Sequence, residues 1–195
     1  MNRRDWMNSG TKLFLAGVVE LDDDRLGAQT ALPGWTRRHL IAHVHYNAEA
    51  LRRLTRWAAT GLPTPMYESS RQRAEEIEAG ALLPAAELRG LVHESAAALA
   101  TDLDSLSDRE WAHEVVTAQG RTVPASEIPW LRAREVAVHA VDLGVSVGFG
   151  DLPEDFNTAL AIDVINRRAV AGEAAPIVEW LTGRTTQAPT LGPWL

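Results

Sequence analysis

The chain has no cysteine and a single lysine, and both absences narrow what it can do. Without cysteine there are no disulfides, no zinc ribbons and no thiol nucleophile of the protein's own. Any metal site must therefore be built from nitrogen and oxygen donors. Lys12 is the one lysine among 19 basic residues, and no basic run offsets a net charge of −7. A nucleic-acid partner is not expected of such a chain. Long apolar runs are also missing. No segment approaches the roughly 20 consecutive apolar residues of a membrane span. The N-terminal stretch MNRRDWMNSGTKLFLAG is too broken by charged and polar residues to be a secretory signal. A cytoplasmic location is the default expectation. The acidic triplet Asp22-Asp23-Asp24 lacks the spacing of a calcium loop and is expected to be a solvated turn. Internal repeats and low-complexity segments are absent.

What is present reads as helix. With 195 residues, 46% of them hydrophobic, the chain can bury one good core. A first helix is expected over residues 5–21, with Trp6, Leu13, Val18 and Leu21 on its apolar side. Pro33-Gly34-Trp35 forms a turn, and Thr36 is a suitable cap for a second helix reaching Thr60, stopped by Gly61 and Pro63. The polar segment MYESSRQRAEEIEAG is helical in pattern. A third long helix starts at Pro84 and runs to about residue 106. Residues 114–123 resemble a short hairpin turning at Gln119-Gly120. A fourth long helix covers residues 126–145 and a fifth 154–171. The tail is one short helix followed by an extended end, with Pro193-Trp194 as a packing anchor. The fold class is mainly all-α: an antiparallel four-helix bundle with a short β-hairpin and a reduced C-terminal appendage. Two domains follow, 1–152 for the bundle and 153–195 for the fifth helix and a truncated C-terminal segment.

The residues able to carry chemistry lie on two of these helices. In RAREVAVHAVDLG, Glu135 and His139 stand four residues apart, so they share one helix face. In LPGWTRRHLIAHVHYNAEAL, His39, His43 and Asn47 follow one another at four-residue steps. Two donors from the later helix and one imidazole from the earlier, either His39 or His43, make a three-ligand site with an open position. Such a site suits catalytic zinc or a similar divalent ion. Asp142, seven residues beyond Glu135, can orient a ligand imidazole. The plainer alternatives are a core histidine at position 43 and a surface carboxylate at 135, salt-bridged to Arg132 or Arg134. His45 falls off the His43 face and is expected at the surface or against a partner. His93 and His113 have no companions at metal-ligand spacing.

These two segments together, with GTKLFLAGVVEL and MYESSRQRAEEIEAG, resemble the mycothiol-dependent maleylpyruvate isomerase family over about residues 6–155. Its N-terminal domain is a four-helix bundle related to the DinB and YfiT-like metal-binding proteins. The resemblance implies metal ligands at His43, Glu135 and His139, and so selects His43 over His39. It implies that Arg73, in the segment Tyr67 to Arg73, meets a substrate carboxylate, against the plainer reading of an ion pair with Glu76. Asn47 matches the family's asparagine, as a substrate contact or as a tie between helices. Longer members carry a C-terminal α/β domain that contributes to the cleft and to binding of the large thiol. Here EAAPIVEWLTGRTTQAPTLGPWL is similar only to its final part.

The implied chemistry is thiol-assisted cis-trans isomerisation of an enoyl diacid such as maleylpyruvate. Zinc or another divalent metal activates mycothiol or a similar low-molecular-weight thiol, whose thiolate adds to the double bond and is eliminated after rotation. A thiol S-transferase acting on an electrophilic small molecule, a non-catalytic metal-binding module and a metal-dependent hydrolase remain the alternatives. The expected partners are a carboxylate-bearing small molecule and the thiol, with no nucleic acid and no membrane.

Overall fold

A computed structural model of the chain describes residues 2–191. The chain divides after Leu152 into two compact units. The first opens with α1 (Arg3–Glu20), started by Asn2, whose side-chain oxygen accepts from the Asp5 N–H at 2.9 Å while Asp5 accepts from the Asn2 N–H at 3.1 Å. The acidic triplet forms a single-turn helix, α2 (Asp23–Leu26), rather than an open turn. Asp22 caps it by accepting from the Arg25 N–H at 2.8 Å. Then come α3 (Arg37–Thr60), α4 (Ser70–Ala81), α5 (Ala85–Asp104) and the single turn α6 (Asp108–Trp111). Strands β1 (Glu114–Val116) and β2 (Thr122–Pro124) pair antiparallel with Val115 opposite Val123, and Gly120 takes the positive φ of 75° that the turn requires. Helix α7 (Ile128–Asp142) completes this unit.

Four long helices form the bundle. Helix α1 packs on α7, α7 on α3, α3 on α5 and α5 on α1, while α4 lies against α3. Phe14 and Val18 of α1, Leu40, Ile41 and Val44 of α3, Leu88 and Val92 of α5, and Val136 and Ala140 of α7 share one apolar core. The buried stripe of α1 is Met7, Gly10, Phe14, Gly17 and Val18, with Trp6 and Leu13 only half-buried beside it. Apolar periodicity alone points to Trp6 and Leu13, and close packing moves the stripe. A Cβ at Gly10 would lie 2.8 Å from Val136 Cγ2 and 3.1 Å from the Ala137 nitrogen. The absent side chains let α1 and α7 approach backbone to backbone. Gly80 does the same for α4, since a Cβ there would sit 2.8 Å from Ala42 Cβ.

Helix α3 has neighbours on several sides, and this corrects the expectation for His45. It is buried, not at the surface, and its Nδ1–H donates to the Leu91 carbonyl at 3.1 Å. His93 is exposed, and His113 donates to the Ala58 carbonyl.

The second unit contains α8 (Glu154–Val170) and α9 (Ala174–Leu181), with no regular element among the described residues after Leu181. Among the described residues the two-stranded hairpin is the sole sheet. Pro193-Trp194 lies outside the described residues. No helix among the described residues is long and apolar enough to cross a membrane.

Candidate metal centre

The entry to α3 sorts the histidines of that helix. Thr36 caps it, and the third helical residue, His39, turns its ring back to the cap. His39 Nδ1 lies 2.7 Å from the Thr36 hydroxyl and accepts from the Thr36 N–H at 3.3 Å. Glutamate or glutamine usually fills this role in a capping box. His39 is thereby occupied at the helix start, its Nε2 lying 3.4 Å from Glu78. His43, one turn on, points inward and is 4% exposed.

Opposite it, α7 presents Glu135 and His139. The ligand atoms of His43, Glu135 and His139 all lie within 4.8 Å of one another. His43 Nε2 is 2.9 Å from Glu135 Oε2, and His139 Nε2 is 3.4 Å from the same oxygen. The two imidazole rings meet edge to face with centroids 5.0 Å apart. Asp142, one turn beyond His139, holds its Nδ1 at 2.8 Å. That contact aims Nε2 at the shared oxygen, as a carboxylate does for a metal-ligating imidazole.

The protonation of the cluster follows from burial and neighbours. Burial pushes the Glu135 carboxyl up, but hydrogen bonds from His139 and His43 outweigh it and hold the group well below the carboxylate range. Burial lowers His43, and the bond to Glu135 does not overcome that effect. Burial also pulls His139 down, but hydrogen bonds to Asp142 and then Glu135 raise it to about 9. The cluster thus pairs an anionic carboxylate with one neutral and one protonated imidazole at neutral pH. It already demands a cation, which a proton on His139 supplies. Two imidazole nitrogens and one carboxylate oxygen, all converging, are a donor set that a divalent ion can replace that proton to fill.

Further groups surround the cluster. Arg73, on α4, is half-buried and donates from Nη2 to His43 Nδ1 at 3.3 Å. The expected alternative pairing with Glu76 is not made, since Glu76 accepts from Gln72 at 3.0 Å and lies 3.9 Å from Arg53. The Arg73 guanidinium carbon is 6.0 Å from the centre of the Tyr67 ring. Trp35 stands with its ring centroid 5.2 Å from that of His43. Its place is fixed by the turn before α3, where the Thr30 N–H and hydroxyl both donate to the Trp35 carbonyl, at 2.9 and 2.8 Å. Asn47 is buried one turn after His43 and accepts at 2.7 Å from Arg132 of α7.

Sequence reasoning therefore names five residues that converge here (His43, Arg73, Glu135, His139 and Asp142), and the structure places the sixth, Asn47, one turn away against Arg132. It misses three. Trp35 was available in the GWT motif, where a large aromatic directly precedes a helix cap. Tyr67 opens the segment that ends at Arg73. Arg132 carries no signal of burial, because an arginine beside a glutamate ordinarily reads as a surface pair.

Comparison with known proteins bears on the same residues. Residues 9–144 match the family described as the mycothiol maleylpyruvate isomerase N-terminal domain. Among solved structures, the mycothiol-dependent maleylpyruvate isomerase is similar with 46% sequence identity and a TM-score of 0.84, covering 86% of this chain and 70% of that one. A histidine-to-alanine mutant of the mycothiol-dependent maleylpyruvate isomerase is similar with 45% identity and a TM-score of 0.83, at the same coverage. No curated protein matches. The matched segment takes in α3, α4 and α7, and with them all three donors of the cluster, so the chain belongs to the mycothiol maleylpyruvate isomerase N-terminal domain family.

Proposed function

We propose that this protein is a thiol-dependent isomerase that interconverts the cis and trans forms of a small enoyl diacid, with mycothiol or a similar low-molecular-weight thiol as cosubstrate and maleylpyruvate as the reference substrate. The observation that carries the reading is the convergence of His43, Glu135 and His139 within 4.8 Å beside the half-buried Arg73. Those three residues would hold zinc, an ion suited to two imidazoles and a carboxylate. When bound, it supplies Lewis acidity that ionises a thiol whose free pKa is about 8.5.

The chain's own residues then have separable tasks. Asp142 fixes the tautomer of His139 and would keep its Nε2 turned toward a bound ion. Arg73 grips a substrate carboxylate through two parallel N–H donors, a geometry that lysine cannot reproduce. Trp35 walls one side of His43 with an apolar ring. The sulfur adds to one carbon of the activated double bond, and the electron pair moves toward the conjugated carbonyl. Rotation about the resulting single bond and elimination return the thiol and the trans product. A protein without cysteine must borrow its sulfur, in keeping with this scheme.

Purified protein loaded with zinc and given mycothiol and maleylpyruvate tests the proposal. Isomerisation predicts that the cis substrate disappears while the free-thiol concentration stays constant, and that His43→Ala abolishes turnover. Thiol consumed one for one with the electrophile would identify an S-transferase instead. Absence of metal from the purified protein, or metal content indifferent to His43→Ala and Glu135→Ala, would sink the enzymatic reading.

A further inference from the structure

Arg132 is 1% exposed and is one of the largest fully buried side chains of the protein. It lies on α7 one turn before Glu135, where a surface ion pair would be expected. It makes no ion pair. Its Nη1 donates to the Val44 carbonyl and to Asn47 Oδ1, both at 2.7 Å, and its buried Nη2 has no hydrogen-bond partner. Burial lowers its pKa to about 10, a shift partly offset by the fields of Glu135 and Tyr67, so the group stays charged at neutral pH. A buried cation facing two neutral oxygens is an expensive way to fill space between helices. Methionine or leucine would serve a bundle that required stability alone.

The identity of the two acceptors gives the arginine its meaning. Val44 follows His43 directly, and Asn47 lies one turn beyond it, both on α3. A single planar group, one turn from Glu135 on α7, thus holds α3 at two points beside His43. The separation of these two helices is also the gap that His43 Nε2 must span to meet Glu135 and His139. Apolar contacts tolerate small sliding, whereas donor distances to zinc of about 2.0–2.2 Å do not.

We propose that Arg132 is a positioning residue of the metal centre: a strut from α7 to Val44 and Asn47 that sets the spacing of His43 from Glu135 and His139. The inference rests on the metal-site reading above and adds a residue that touches neither the ion nor the substrate. It also assigns Asn47 to the strut.

Cobalt(II) titration of the full chain tests it, because the visible d–d absorption of cobalt reports coordination geometry as well as affinity. Wild type, His43→Ala, Arg132→Met, Arg132→Lys and Asn47→Leu are compared, each with circular dichroism as a check on folding. Arg132→Met is expected to stay helical, bind cobalt about 10- to 100-fold more weakly, and show a weaker and shifted band. Asn47→Leu should move affinity and spectrum in the same direction by less, and Arg132→Lys should recover part of both. Wild-type affinity and spectrum in folded Arg132→Met would overturn the proposal. Should that variant not fold, the same result in Asn47→Leu would overturn it. A wild type that binds no cobalt, or a His43→Ala variant that binds it equally well, would instead remove the metal site itself, a different result from an intact site indifferent to Arg132.

Discussion

The bundle and the C-terminal unit are built from the same kinds of residue, yet they use them in opposite ways. In the bundle, Phe14, Leu40, Ile41, Leu51, Leu54, Leu99 and Leu103 are all at most 1% exposed, and charged groups reach the interior where an interaction holds them. In the second unit, Phe156, Leu160 and Ile177 are buried, but Ile162, Ile165, Val178, Trp180 and Leu181 are between 41% and 58% exposed, and Val170 is 91% exposed. Four long helices enclose a core on every side, whereas helices of 17 and 8 residues shield only a narrow strip. All three converging donors lie in the enclosed unit. Precise placement of side chains requires surroundings that do not yield, and only the bundle offers them.

The largest effect that sharpens this contrast is on metal content. Glu135→Ala and His139→Ala should each lower zinc affinity by more than about 100-fold while helical content persists, read by elemental analysis after dialysis. Ending the chain after Leu152 leaves all three donors in place, and metal stoichiometry should be unchanged. Loss of metal on that truncation would break the comparison. Next in size is packing. Phe14→Ala should cost about 3–5 kcal/mol in urea unfolding, against about 0.5 kcal/mol or less for Ile165→Ala. Equal costs would mean that the two units share one degree of enclosure. Smaller still is a pH effect in the metal-free protein. The pKa of His139 is raised from 6.5 to about 9, so its contribution to stability is fully present below about pH 6.5 and is lost as pH rises through about 9. The melting temperature of the metal-free protein should therefore fall over that interval, and His139→Gln should flatten the slope. An unchanged slope would show that the imidazole is not held by Asp142 and Glu135. The smallest expected effect is that of Val170→Ser, which should leave the melting temperature within about 1 °C.

Much of the bundle was legible because its signals are local. Thr36 and Gly61 bracket α3, Pro84 marks the start of α5, and Gln119-Gly120 marks the hairpin turn. The Glu135/His139 step depends only on helical geometry, which is why it can be read from spacing. What failed depends on neighbours that the sequence does not reveal. His45 goes inward because α5 covers a side of α3 that periodicity assigns to solvent. The buried stripe of α1 passes through Gly10 and Gly17, which no hydrophobicity scale scores as core. His39 became a cap rather than a ligand candidate through a contact with Thr36 that only the turned-back ring makes visible. Arg132 is the hardest case, since nothing in RAREV tells a buried guanidinium from an exposed one.

The glycine at position 10 has a bearing on the chemistry that its distance from any donor conceals. The residues it nearly touches, Val136 and Ala137, follow Glu135 immediately in the chain. A methyl group added on α1 would press on the backbone just past a donor carboxylate. The depth at which α7 seats against α1, beside Glu135, is therefore set in part by a residue with no side chain. A substitution there must displace Val136 or the α7 backbone at Ala137, directly after Glu135.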